Sequence, residues 1–294
     1  MSAGVLAVLA ALTFSFYGII SRRAVVSLPD ATAGVLISVP ISVPFFIFIL
    51  AITGQISDVT SFSWQSYLWL SAAGIVHFII GRSLSYKCVQ LVGMNISNIV
   101  QRVSTLVAVT LGITVLSEPI TWQLTVGVLL ITTGVLIAGS NSLMFKGNAL
   151  AGISPMALLF GLGAGIAWGT SPILIKIGLE GSGSPVAGAF ISYSAATIAL
   201  GISMWDGKRR EALFSLKGRT AVLFSLAGLL AAGAHLLRYI ALSMAPASVI
   251  SPIFSISPIF MLTLAFLFNR KLELFSAPVI IGTIAVVIGS LLLV

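Results

Sequence analysis

Charge is what this sequence has least of: 7% of its 294 residues are Asp, Glu, Lys or Arg, against about a quarter in ordinary globular domains. A surface dressed so sparsely cannot face water, which excludes a soluble globule and any soluble domain large enough to act alone. Cysteine is nearly absent too. Cys88 is the one thiol, which excludes an intrachain disulfide, a multi-thiolate metal site and a CxxC redox centre, and no cofactor is expected. Acidic residues number seven, and Asp30, Asp58, Glu118, Glu180, Asp206, Glu211 and Glu273 all fall in loops or at the ends of apolar runs. A carboxylate at the bilayer centre, expected of a lipophilic-cation site or a carboxylate-driven proton antiporter, is therefore missing. Residues 1–4 bring no positive charge ahead of the first apolar run, so a cleaved signal peptide is the weaker reading and the run is expected to be the first span.

What is present is apolar: 58% of the residues are hydrophobic and the mean hydropathy is +1.15. Crossing a hydrocarbon core takes roughly 20 residues at about 1.5 Å rise each. Runs of that kind fall at about 3–21, 32–53, 65–85, 95–117, 120–139, 154–177, 185–205, 220–243, 246–268 and 273–293. Ten in series do not fit a soluble core, and unbroken Gly, Ala, Leu and Ile do not fit the alternating polarity of a β-barrel. The expected protein is an all-α, multi-pass integral membrane protein of the cell membrane with ten transmembrane helices. Its formal charge of +8 then points to anionic headgroups of the lipid bilayer before nucleic acid. The densest basic cluster, Lys208, Arg209, Arg210, Lys217 and Arg219, sits beside Asp206 and Glu211 and offers no aromatic base-stacking platform, so no nucleic-acid partner is expected.

The chain also repeats itself. Asn95, Asn98, Arg102 and Thr105 are matched 153 positions later by Ser248, Ser251, Ser255 and Pro258, with Tyr86 meeting Tyr239 at the same offset. Gly127 and Gly134 are matched 155 positions later by Gly282 and Gly289, and Tyr17-Gly18 meets Trp168-Gly169 at 151. Small loop insertions produce such drift. The expected division is residues 1–146 and 147–294, five spans each. An odd number of spans makes the second half enter from the opposite side, giving two inverted five-helix repeats around one central site.

The polar positions have bland and functional readings. Asn95, Asn98, Arg102 and Thr105, spaced three, four and three, fall on one helical face, and Arg102 lies about seven residues inside its span, roughly 10 Å deep. It either snorkels or glues helices together, or it faces a water-filled cavity and substrate; the amides beside it favour the cavity. Ser251 and Ser255 carry the matching face of span nine, where Pro252 and Pro258 are expected to kink the helix. Tyr17 and Trp168 read either as cavity walls or as interface anchors, the role that also suits Trp64, Trp69, Trp122 and Trp205. His77 and His235 either bond to a neighbouring helix or handle a proton. Gly161, Gly165 and Gly169 form two GxxxG steps and predict a close helix contact. No catalytic or metal-ligating constellation is visible.

Ten spans in two halves, Tyr17-Gly18 and Trp168-Gly169, Gly81-Arg82 with Tyr86, and Glu118 opening a span that carries Gly127 and Gly134 together resemble the EamA-type members of the drug/metabolite transporter superfamily. The resemblance covers the whole chain. It implies a membrane carrier of small organic solutes, often an exporter of amino acids, with a cavity between the halves. The family's glutamate motif matches Glu118, whereas in the second half a two-residue insertion blurs the match between Asn269 and Glu273. With Arg102 buried, the expected substrate is zwitterionic or anionic. The alternative class is a membrane-embedded enzyme acting on a lipid-linked substrate, which would need clustered acids or a positioned His and carboxylate. Neither substrate identity nor oligomeric state follows from the residues.

Orientation is the last expectation. Connections after odd-numbered spans hold or adjoin Arg22, Arg23, Arg82, Lys87, Lys146, Lys208, Arg209, Arg210, Lys217, Arg219, Arg270 and Lys271, twelve of fifteen basic residues, against Lys176 and Arg238 on the other side. Basic residues near span ends stay in the cytosol, so the count places both termini outside it, although the family resemblance implies both inside.

Overall fold

The computed structural model describes residues 1–28, 30–117, 121–144, 154–181, 184–216, 218–254, 256–272, 275 and 277–292. Within them every regular element is helical: α1 (Ala3–Val25), α2 (Val35–Ser38), α3 (Ser42–Ile52), α4 (Trp64–Gly74), α5 (Arg82–Val100), α6 (Val103–Val115), α7 (Trp122–Met144), α8 (Pro155–Leu179), α9 (Pro185–Ser203), α10 (Gly207–Ser215), α11 (Gly218–Met244), α12 (Ala247–Phe254), α13 (Ser257–Phe268) and α14 (Ala277–Leu291). Six helical stretches are long and apolar enough to cross a membrane: Ala3–Val25, Ala31–Ile52, Trp64–Asn98, Pro155–Leu179, Pro185–Ser203 and Gly218–Met244. Shorter apolar helices occupy Val103–Val115, Thr125–Gly134, Ser257–Phe268 and Ile280–Gly289. Trp64, Trp69, Trp122 and Trp205 are all exposed, as anchors at a lipid interface should be. The chain is a multi-pass, all-α membrane protein. The junction expected at 146/147 lies outside the described residues.

Contacts between the halves come in matched pairs. The first helix of each half packs on the third of the other, α1 on α11 and α8 on α4 and α5; α8 also meets α6, and α1 meets α12 and α13. Glycines make the closest of these approaches. A Cβ on Gly74 would lie 2.0 Å from the Ser192 carbonyl oxygen, and one on Gly228 would lie 2.6 Å from that of Ser38. Gly74 and Gly228, like Ser38 and Ser192, are 154 positions apart, so one contact is the image of the other. At the α7–α14 seam Gly134 meets Gly282 and Gly289 meets Gly127. The crossed order means that these two matching helices run antiparallel, backbone close to backbone.

The offset falls from 154 at Gly74/Gly228 to 153 at Tyr86/Tyr239, so the first half has one extra residue between those points. A π-helical segment, Ile75–Gly81, takes it up, as such turns do by widening the helix instead of breaking it. One residue is worth about 100° of helical rotation, so the inserted turn re-aims the side chains around His77 relative to their counterparts on α11.

Both fourth-span regions are interrupted. α5 bends at Gly93, whose φ of 82° is open to glycine, and its last turn ends at Val100. Gln101 and Arg102 then form a turn closed by Ser104 N–H donating to Gln101 O (3.0 Å) and Thr105 N–H to Arg102 O (2.9 Å). In the second half α12 stops at Phe254 and α13 starts at Ser257, with Pro258 in its first turn where proline is tolerated. The expected single helix with Asn95, Asn98, Arg102 and Thr105 on one face is therefore corrected to two segments meeting at Arg102. The expected proline kink in span nine is likewise an interruption. The predicted GxxxG contact packs on the first break, Gly165 against Gln101 O and Gly169 against Ser104 O, while Ser15 on α1 donates to Ser257 O at the second (3.0 Å).

Candidate functional site

The two breaks, the π-helical turn and the first helix of each half enclose a chamber at the middle of the molecule. Its polar lining is Arg102, Ser104 and Thr105 from the first break, His77, His235 and Arg238 from the third-span helices, and Ser251 from α12. Its aromatic lining is Phe14, Trp168 and Phe254. The free volume is about 20 Å³, room for roughly one water, so this state is closed around its centre. A smaller space beside it is lined by Tyr17, Ser21, Tyr86, Asn98, Gln101 and Met261, with Phe14 and Trp168 forming the partition.

Aromatic contacts fix the chamber's walls. His77 stacks on Trp168 at 5.8 Å and stands perpendicular to His235, ring centroids 4.5 Å apart. Its Nδ1 is 2.6 Å from Ser171 Oγ, and Trp168 Nε1 donates to its carbonyl at 3.2 Å. Phe14 packs edge-on to Trp168 and tilts against Phe254 and Tyr17. His235 Nε2 is buried with no hydrogen-bond partner.

Three guanidiniums lie in this interior, and they are not equivalent. Arg82 is 2% exposed. It donates to the Ser38 carbonyl (3.0 Å) and reaches Ser38 Oγ and Tyr193 Oη (3.4 Å each), with Tyr17 and Phe78 rings 5.6 and 5.4 Å from its charge. That carbonyl is available because Ser42 N–H turns to Val39 O at the Pro40 step between α2 and α3. Arg82 thus closes a gap in the backbone ladder. Arg102, 4% exposed, donates Nε to Asn98 O (3.1 Å) and reaches Ser257 Oγ across the two breaks (3.4 Å). Arg238, 5% exposed, lies 4.8 Å above the Phe254 ring, and its Nε has no partner. Every described carboxylate, Asp30, Asp58, Glu180, Asp206 and Glu211, lies away from this interior at a surface-accessible position.

Of the residues singled out from the sequence, Arg102, Trp168, Ser251, His77 and His235 line the central chamber, and Tyr17 and Asn98 line its neighbour. Asn95 is buried but lines neither. Ser255, Glu118 and Glu273 lie outside the described residues. Arg82 and Arg238, which the orientation count assigned to the span ends on opposite sides, lie in the interior. Arg238 was legible in one respect: it follows His235 by three residues in an apolar run, hence on the same helical face.

The two ends of the molecule differ. At one end the connections after α1, α10 and α13 and the bend within α5 are tied together: Gln90 Nε2 donates to Leu28 O (2.6 Å), Ser27 bonds Thr220 (3.2 Å), and Arg23 donates to Asn269 Oδ1 (2.7 Å) and Phe268 O (2.5 Å). Asn269 in turn donates to Ile19 O (3.1 Å). Arg22 to Val89 O and Lys176 to Leu242 O are matching bonds at opposite ends. In the packed structure α1 and α8 correspond at an offset of 154, as Arg22 and Lys176 show, and not at the 151 of Tyr17 and Trp168; at the far end Arg23 and Asn269 are therefore replaced by Ile177 and Leu116. There a crevice of about 430 Å³ opens between Val115, Leu116, Ser117, Lys176, Ile177, Glu180 and Pro246.

Among solved structures, one crystal structure of a protein superposes over 99% of this chain and 94% of its own length, with a TM-score of 0.71 and 13% identity, a likeness of fold alone. No individually curated protein matches the sequence. The sequence model of the EamA-like transporter family matches residues 1–140 and again 155–294, once over each of the two halves whose first helices cross and whose breaks face the chamber, and the chain therefore belongs to the EamA-like transporter family.

Proposed function

We propose that the protein is a secondary carrier of a small organic solute bearing a carboxylate or similar oxyanion, zwitterionic or anionic, an amino acid being one candidate. It works in the cell membrane through ten spans arranged as two inverted five-helix repeats, residues 1–146 and 147–294. The crossed, antiparallel contact of α7 with α14 supports the inversion. The observation that carries the reading is the closed chamber between the halves, lined by two guanidiniums and two imidazoles. A buried cation without a counter-ion is costly, and a site that accepts one transiently offsets that cost. Arg102, Arg238, Trp168 and Ser251 contact the solute in the chamber, with Asn98 and Tyr17 along its path. The crevice at one end and the tied connections at the other are the two faces of an alternating-access cycle.

The test is counterflow into proteoliposomes across amino acids, organic acids and nucleobases. Saturable flux of at least one of them is the expected result. Turnover of a lipid-linked substrate in detergent, with no flux of any solute, would refute the carrier in favour of an enzyme.

A further inference from the structure

We infer that the solute is a net organic anion with a flat apolar body and no ammonium group, so that an α-amino acid is the wrong substrate. This deepens the carrier reading and rests on it. The argument begins with which donors in the chamber are already used. Arg82 is occupied by Ser38, Tyr193 and two ring faces. Arg238 and His235 each keep a nitrogen in reserve: Arg238 rests on the Phe254 ring, but its Nε, like His235 Nε2, is buried without a hydrogen-bond partner, and both residues line the chamber with Arg102. Arginine keeps its proton in proteins, so at least two fixed positive charges face a space that can close to about 20 Å³.

No carboxylate lines the chamber among the described residues. An oxyanion entering it meets the Arg238 Nε–H, a charge-assisted donor without a partner in the chain, beside the Arg102 guanidinium, and charge-assisted bonds of this kind bind carboxylates and phosphates most strongly. An ammonium carried on the same solute would find hydroxyls, imidazole nitrogens and the aromatic faces, none of which carries a counter-charge. It would also share the chamber with two guanidiniums, each repelling it by roughly a hundredfold in affinity at ~6 Å and an effective dielectric of about 20. The rest of the wall is Phe14, Trp168 and Phe254, faces that accept a flat apolar body.

The full-length protein in liposomes tests this with solutes that share one phenyl body. The compounds are 3-phenylpropionate, phenyl phosphate, phenylalanine and phenethylamine. The expected result is counterflow of an anion at least tenfold above phenylalanine, with phenethylamine inert; the ratio between the first two tells a carboxylate head from a phosphate head. In Arg238→Gln the anion-to-zwitterion ratio should fall at least tenfold, while Arg238→Lys, which keeps the charge if the Gln variant does not fold, should retain more than half of the preference. A merely structural arginine would lower all fluxes together and leave the ratio unmoved, which would overturn the assignment of Arg238. Phenylalanine moving as fast as 3-phenylpropionate would overturn the inference while leaving the carrier intact. Absence of saturable flux for every organic solute would strike down both.

Discussion

Arg23 is the clearest place to perturb the working cycle, because it ties one half to the other at one end only. Its two bonds to Asn269 Oδ1 and Phe268 O are charge-assisted, and such bonds contribute about 1.5–3 kcal/mol net. Arg23 itself is exposed whereas Asn269 is buried. Solvent screening therefore trims the guanidinium's share, while the abandoned amide oxygen of Asn269 keeps its desolvation cost. Arg23→Gln should weaken closure at this end by roughly 1.5–2 kcal/mol, about a 10- to 30-fold shift toward the state open there. The readout is thiol labelling of Ser21→Cys in a Cys88→Ala background. Ser21 is buried beside the smaller space under the Arg23 tie, so its labelling rate follows the open fraction. Arg270→Gln is the control, since the Arg270 charge stacks on Phe266 of its own half, 4.8 Å from the ring; it should change labelling less than twofold. Labelling unchanged within twofold in a folded Arg23→Gln variant would refute the reasoning.

Four further outcomes are expected. Gly74→Ala and Gly228→Ala should each destabilise by about 3 kcal/mol, because the new Cβ meets backbone of Ser192 or Ser38 that cannot rotate away; Gly201→Ala, with nothing within 4 Å, should leave thermal inactivation in detergent unmoved. Folded Arg102→Ala should bind an oxyanion substrate roughly tenfold to hundredfold more weakly, and unchanged affinity would sink its role. If flux responds to a proton gradient, His77→Gln or His235→Gln should remove that response and spare counterflow, and loss of the response in a single Asp or Glu variant would contradict this. With Arg82 and Arg238 in the interior, the described basic residues of the two ends stand at nine to Lys176 alone, which favours termini outside the cytosol; a cysteine placed at Ser215 on α10, in a Cys88→Ala background, should resist an impermeant thiol reagent on intact cells, and rapid labelling would reverse the orientation.

The membrane class, the helical content and the duplication were legible in the residues alone, because hydropathy and a repeated order of Gly, Tyr and polar positions depend only on the chain's own spacing. Arg102, Trp168 and the two histidines were legible for the same reason: polar groups in apolar runs are costly wherever the helix packs. The division of labour among the three guanidiniums was not. Whether Arg82 or Arg238 is used up depends on a carbonyl freed at Ser38, forty-four positions from Arg82, and on which ring lies under the charge. Nor was the break at Arg102 legible, since Gln101 and Arg102 are ordinary helix formers. The asymmetry of the ends was hidden as well: Arg23 and Asn269 are 246 positions apart, and only tertiary packing brings a surface arginine onto a buried amide at one end while leaving Ile177 and Leu116 at the other.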